Sequence, residues 1–203
     1  MNKRSSNLDT PCTIDNLGMK YILFYKPFAV LSQFSPEQDK QTLKDYLFLP
    51  KDIYPIGRLD YDSEGLLLLT NDNSVKKKLT DPKFEHPKTY YTQVERIPDA
   101  TALGQLRRGV IIEGVKTKPA EVELLKNDPG FPERSVPIRF RKNVPTSWLS
   151  IVLREGRNRQ VRKMTAAIGH PTLRLVRVKI GTIEIGSLHP GEWKELSLSQ
   201  ILA

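Results

Sequence analysis

Apolar residues in this chain fall into short alternating runs or brief unbroken blocks, divided by Gly, Pro and charged loops. The densest such pattern lies between positions 53 and 72. Ile53 to Ile56 is apolar and β-prone, Gly57 breaks the run, and a polar loop extends from Arg58 to Glu64. Gly65 then leads into Leu66 to Leu69, closed by Thr70, Asn71 and Asp72. The spacing predicts a strand, an exposed loop and a second strand. A leucine block with no polar alternation fits a central strand buried on both faces.

The remaining pattern interleaves strands with short helices. Met19 to Pro27 reads as a strand, and Thr42 to Leu49 as a short helix with Leu43, Tyr46 and Leu47 on one face. Ser74 to Leu79 is a second helix, capped by Asn73 or Ser74 and stopped near Pro82. Thr89 to Glu95 is β-prone. Pro98 to Arg108 is helical with Ala102, Leu103 and Leu106 inward, and Gly109 ends it. Strands follow at Val110 to Ile112, Ala120 to Leu125 and Ile138 to Arg141. In Ser147 to Arg154, Leu149, Ile151 and Leu153 alternate with Trp148, Ser150 and Val152. A helix over Asn158 to Ile168 carries Val161, Met164, Ala167 and Ile168 at helical spacing, and Leu173 to Ile180 is a further strand. This mixture predicts a mixed α/β chain.

Composition narrows the class of partner. The 203 residues can bury a proper core, read as one domain with two lobes over 18–203 behind a flexible polar tail at 1–17. The formal net charge is +9, which argues for a polyanionic partner. Between Arg134 and Lys179 stand twelve Arg or Lys against one acid, Glu155, so the basic excess belongs to the C-terminal half. Cys12 is the single cysteine, so an internal disulfide or a cysteine zinc site is ruled out. His86, His170 and His189 are scattered, each followed by Pro, where a metal would want clustered ligands. The leader has no apolar signal core and no stretch approaches 18 apolar residues, so a cytoplasmic protein with no membrane span is expected.

Charges crowd the loop before the leucines: Arg58, Asp60, Asp62 and Glu64 within seven residues. A solvated turn is the plain reading of such a cluster. Calcium is another, because Asp60, Asp62, Glu64 and Gly65 nearly match the start of an EF-hand loop. That reading fails: Asn71 stands where a bidentate Glu is required, and the exit is a strand instead of a helix.

Four segments in order carry a third reading. GRLD followed by GLLLLTND, HPKTYY at 86–91, PTSWLSIVLREGRNRQVRKM at 145–164 and GHPTLRLVRVKIG at 169–181 resemble the motifs of the pseudouridine synthases that act on small- and large-subunit ribosomal RNA. The resemblance runs over nearly the whole chain from Met19. It implies an α+β pseudouridine synthase fold: a bent, mostly antiparallel central sheet in two lobes, with flanking helices and a catalytic cleft. Members of that family often carry a separate small RNA-binding module at the N-terminal end, which a tail of seventeen residues cannot hold, and the expected protein is a cytoplasmic monomer acting on 23S ribosomal RNA or a ribosome precursor.

Converting uridine to pseudouridine breaks the bond from N1 to C1′ and makes one from C5 to C1′. The task needs a carboxylate near the sugar, a pocket for the detached uracil and exclusion of water, but no metal and no redox cofactor. The resemblance implies Asp60 as the catalytic aspartate, Arg162 as the arginine paired with it, and Tyr90 as the ring that stacks on the uracil. Charge counting alone treats Asp60, Asp62 and Asp72 alike, and the motif assigns no chemistry to Asp62. Arg58 is a candidate to fill the gap left by an extruded base. Lys88, Arg157, Asn158, Arg159, Gln160 and Lys163 are expected as contacts to the RNA backbone, with Arg174 and Arg177 extending that surface. A non-catalytic RNA-binding protein on this fold would need the cations but not the carboxylate. A nucleoside hydrolase or glycosylase would cleave the same bond and release free uracil.

Overall fold

The computed structural model describes residues 18–138 and 143–202. The tail with Cys12, and most of the strand expected at 138–141, lie outside the described residues. In chain order come β1 (Tyr21–Lys26), β2 (Val30–Leu31), β3 (Gln41–Thr42), β4 (Tyr54–Ile56), β5 (Glu64–Thr70), α1 (Asn73–Thr80), β6 (Lys88–Glu95), α2 (Ala100–Arg108), β7 (Ile111–Ile112) and β8 (Val115–Lys116). There follow β9 (Glu121–Leu124), β10 (Thr146–Leu153), α3 (Gln160–Ala167), β11 (Thr172–Ile180), β12 (Ile183–Glu184), β13 (Trp193–Glu195) and α4 (Leu198–Leu202). Nine strands form one sheet whose main path is β13-β1-β5-β11-β6-β10-β9. All its pairings are antiparallel except β5 with β11.

The leucine block sits at the centre of this sheet because both its faces are covered. Leu66 and Leu68 enter one core with Leu23, Tyr25 and Val176, while Leu67 and Leu69 enter another with Ile22, Phe24, Leu43 and Ile53. Alternation along β1 divides its residues between the same two cores, as side chains of a strand point to opposite faces by turns. A third core lies under β6, β10 and β11 and takes in Leu103 and Leu106 of α2 and Val161 and Met164 of α3. β11 joins the first core to the third, giving Val176 and Ile180 to one and Leu175 to the other.

Several local expectations shift. The helix expected over 42–49 is a single 3-10 turn at Leu43–Asp45, held by a reciprocal capping box between Thr42 and Asp45. Asp72 caps α1, its carboxylate accepting from the amides of Ser74 and Val75 and from the Tyr21 hydroxyl. Helix α3 begins at Gln160 and not at Asn158, since Arg159 has φ of 51° in the left-handed region. On α3, Gln160 and Thr165 are buried with Val161 and Met164, whereas Ala167 is exposed.

Candidate active-site cleft

The loop between β4 and β5 is anchored at several points. The Ser32 hydroxyl donates to the Leu59 carbonyl at 2.8 Å and accepts from the Leu59 amide at 3.1 Å. The Ala29 amide donates to the Tyr61 carbonyl at 2.9 Å, and Leu59 packs into the core beneath. Gly65, with φ of 103°, lets the chain pass against β11, for a Cβ there would sit 2.3 Å from the Arg177 carbonyl oxygen. Asp60 is thus held between fixed neighbours.

Asp60 opens into a cleft of ≈ 830 Å³ that also receives Arg58, Tyr61, Lys88, Tyr90, Arg157, Asn158, Arg159 and Gln160. That volume lies in the range of small-ligand sites and can admit a single flipped nucleotide. Tyr90 enters from β6, where it pairs in register with Ile151 on one side and Arg177 on the other. Arg58, Lys88, Asn158 and Arg159 thus line the same cleft as Asp60 and Tyr90. Burial, with repulsion from Arg177, pushes the Lys88 ammonium below the usual lysine range.

The charge pairing differs from the expected one. Arg159 grips Asp62 with two hydrogen bonds, of 2.8 and 2.7 Å, and stands 3.8 Å from Asp60. Arg162 donates to the Asp62 backbone oxygen at 2.7 Å, and its Nε lies 3.4 Å from the Asp62 carboxylate. Asp62, not Asp60, is therefore the direct partner of Arg162, because Arg162 in the first turn of α3 and Arg159 at its N-cap both reach Asp62. Although burial opposes ionisation of Asp62, Arg159 and Arg162 together hold its carboxyl below the usual range. Burial lowers Arg162 from its ordinary value, while the charges of Asp62 and Asp60 raise it.

Three expected surface contacts turn inward. Arg174 is buried in a two-hydrogen-bond pair with Glu64, at 2.9 and 2.7 Å, so neither residue joins the exposed charges. Arg177 is buried and donates to the Leu66 carbonyl at 2.8 Å. The Gln160 side chain is buried, with one end on Glu155 and the other accepting the Arg157 amide, which leaves it braced rather than offered to a phosphate. Arg157 donates to the carbonyls of Ile112 and Val115 and so ties the β7–β8 hairpin to the cleft rim. Lys163 reaches Glu113 at 2.7 Å and Asn158 at 3.3 Å.

Lys26 was missed at the sequence level. Fully buried below the loop, it donates to the carbonyls of Pro27 and Val30 at 2.8 and 2.7 Å. Burial pushes its ammonium down to about 7, against the opposing pull of Glu64, Asp62 and Asp60. The available signal was a lysine ending an otherwise apolar strand. Glu64 and Arg174 offered a similar one, each a lone charge at the end of or inside an apolar run.

The fold and cleft define a class of protein that comparison with known sequences identifies. A family model described as RNA pseudouridylate synthase matches residues 20–167, and the chain belongs to that family, within the group acting on ribosomal RNA. It is 51% identical over 185 residues to the ribosomal large subunit pseudouridine synthase E of Vibrio parahaemolyticus, covering 91% of this chain and 77% of that protein. It is 40% identical over 182 residues to the ribosomal large subunit pseudouridine synthase B of Bacillus subtilis, covering 89% and 69%. Among solved structures, a pseudouridylate synthase superposes with a TM-score of 0.75 at 27% identity, over 91% of this chain and 73% of that one. The expected pseudouridine synthase fold, an α+β chain around a mostly antiparallel sheet, is the one observed.

Proposed function

We propose that this protein isomerises a specific uridine of large-subunit (23S) ribosomal RNA to pseudouridine, with Asp60 as the carboxylate that acts on the sugar. The observation that carries the reading is that Asp60, Tyr90 and the cationic rim of Arg58, Lys88 and Arg159 open into one nucleotide-sized cleft. Similarity to synthases named for the large ribosomal subunit supports the RNA class. Among the described residues no helix is long and apolar enough to cross a membrane, which agrees with such a substrate. The reading includes cytoplasmic action by a monomer.

A uridine in folded RNA leaves its stack so that C1′ comes within reach of Asp60, and Arg58 fills the space it vacates. Tyr90 stacks on the base while N1 separates from C1′ and C5 turns to face it. Two routes are open to the carboxylate: attack at C1′, or removal of a sugar proton. Either needs the ionised carboxylate, and the Arg159 guanidinium stands 3.8 Å from it. Forming the new carbon bond displaces the C5 hydrogen. Purified protein should therefore release tritium from ribosomal RNA labelled at uridine C5, with no metal or nucleotide added. Asp60→Asn should abolish single-turnover conversion while leaving RNA affinity within a few fold, because the amide keeps the size but cannot act as nucleophile or base. Conversion by that variant, or free uracil in place of pseudouridine, overturns the proposal.

A further inference from the structure

Asp62 holds more of the cleft's positive charge than Asp60 does. Its Oδ1 and Oδ2 each accept from Arg159, its backbone oxygen accepts from Arg162, and Oδ2 also faces Arg162 Nε at 3.4 Å. That Nε is buried and makes no hydrogen bond, an unmet donor that costs free energy in a folded protein. The two arginines differ in exposure: the Arg159 side chain is 41% exposed and the Arg162 side chain 14%. An open ion pair exchanges partners readily, whereas a buried one does not. A guanidinium fork fits a phosphate as it fits a carboxylate.

We propose that Asp62 is a positioning residue that couples the arrival of an RNA phosphate at Arg159 to the setting of Arg162 beside Asp60. In the free protein Asp62 is shared between the two guanidiniums. A backbone phosphate takes Arg159 by the same forked geometry, and the carboxylate so released closes on the unmet Arg162 Nε. Arg162 is then held by both the side chain and the main chain of Asp62, with its positive charge fixed near Asp60. Substrate binding thereby completes the electrostatics of the catalytic carboxylate. This rests on the cleft being the RNA site of the proposed synthase, and it gives Asp62 a part in turnover that the sequence motif does not.

The test pairs binding with single-turnover chemistry on a fragment of large-subunit ribosomal RNA. Asp62→Asn should bind about two- to fivefold more tightly, since Arg159 no longer leaves an exposed ion pair on binding. The same variant should convert bound RNA about ten- to a hundredfold more slowly, having lost a charge-assisted hydrogen bond to Arg162. Asp62→Glu should recover most of that rate, and in an Arg159→Gln background Asp62→Asn should no longer tighten binding. In wild-type protein, where no variant need fold, RNA should shift the Arg162 Nε–H resonance downfield and slow its exchange with water. Affinity unchanged or weakened in Asp62→Asn, or an unmoved Arg162 resonance, overturns the coupling, as does tighter binding at full rate. Should wild-type protein bind the RNA but fail to convert it, the synthase reading falls, while the affinities and the resonance still decide the role of Asp62.

Discussion

Glu64 and Arg174 form the most deeply buried ion pair among the described residues, with side chains 2% and 8% exposed. Such a pair contributes little over an apolar replacement, but breaking it leaves a bare charge in the core. Glu64→Gln should thus lower unfolding free energy in urea by about 3 to 5 kcal/mol, whereas Glu64→Leu combined with Arg174→Met should lower it by much less. Lys26 makes a complementary case, because its folded value of about 7 lies below that of a free lysine. Between those two values the unfolded chain binds a proton that the folded chain lacks, so this group makes stability rise with pH from about 7 upward. Below that range both states are protonated and the burial cost is felt in full. Melting temperature should climb from pH 7 towards pH 9 in the wild type more than in Lys26→Met; parallel profiles would remove Lys26 as the source. The sequence assigns Glu64 to an exposed loop and Arg174 to an RNA-facing surface, and only packing buries them together.

Helix α1 illustrates how much of an element is written locally. Its apolar positions Val75 and Leu79 and its stop before Pro82 are legible in the sequence, yet the cap is Asp72 and not Asn73 or Ser74. The choice is tertiary in part, as Tyr21 of β1 donates to the same carboxylate at 2.8 Å and so fixes it at the end of β5. Asp72→Ala should destabilise the protein by about 1 to 2 kcal/mol, as loss of an N-cap typically does, and increase amide exchange in α1 first. An effect confined to global unfolding, with no early exchange in α1, would contradict the local origin. Similarly, the sequence pattern predicts that α3 starts at Asn158. The left-handed turn at Arg159 delays it, and that turn is what points Arg159 towards Asp62.

Across the whole molecule, the basic half identified from charge counting is smaller in effect than its count. Of the cations between Arg134 and Lys179, Arg174 and Arg177 are buried, Arg154 pairs with Glu121, Lys163 with Glu113 and Lys179 with Glu184. RNA affinity should fall with salt, but Arg159→Ala should reduce the logarithmic slope by roughly 0.7 to 0.9, the share of one phosphate contact, while Lys179→Ala leaves it unchanged. Equal effects of the two changes would place the RNA face elsewhere. The sequence by itself determined the long strands β1, β5, β6, β10 and β11, the leucine core, the existence of α1, α2 and α3 and the family, because alternation, turn residues and ordered motifs are local properties, whereas the two- and three-residue strands β2, β3, β8, β12 and β13 carry too little pattern to be read. Only the tertiary structure decided which charge meets which. Asp62 finds Arg159 across 97 positions, and Glu64 finds Arg174 across 110. Ion pairing over such separations depends on which strands pack together and how deeply, and neither is encoded in the spacing of residues near one another in the chain.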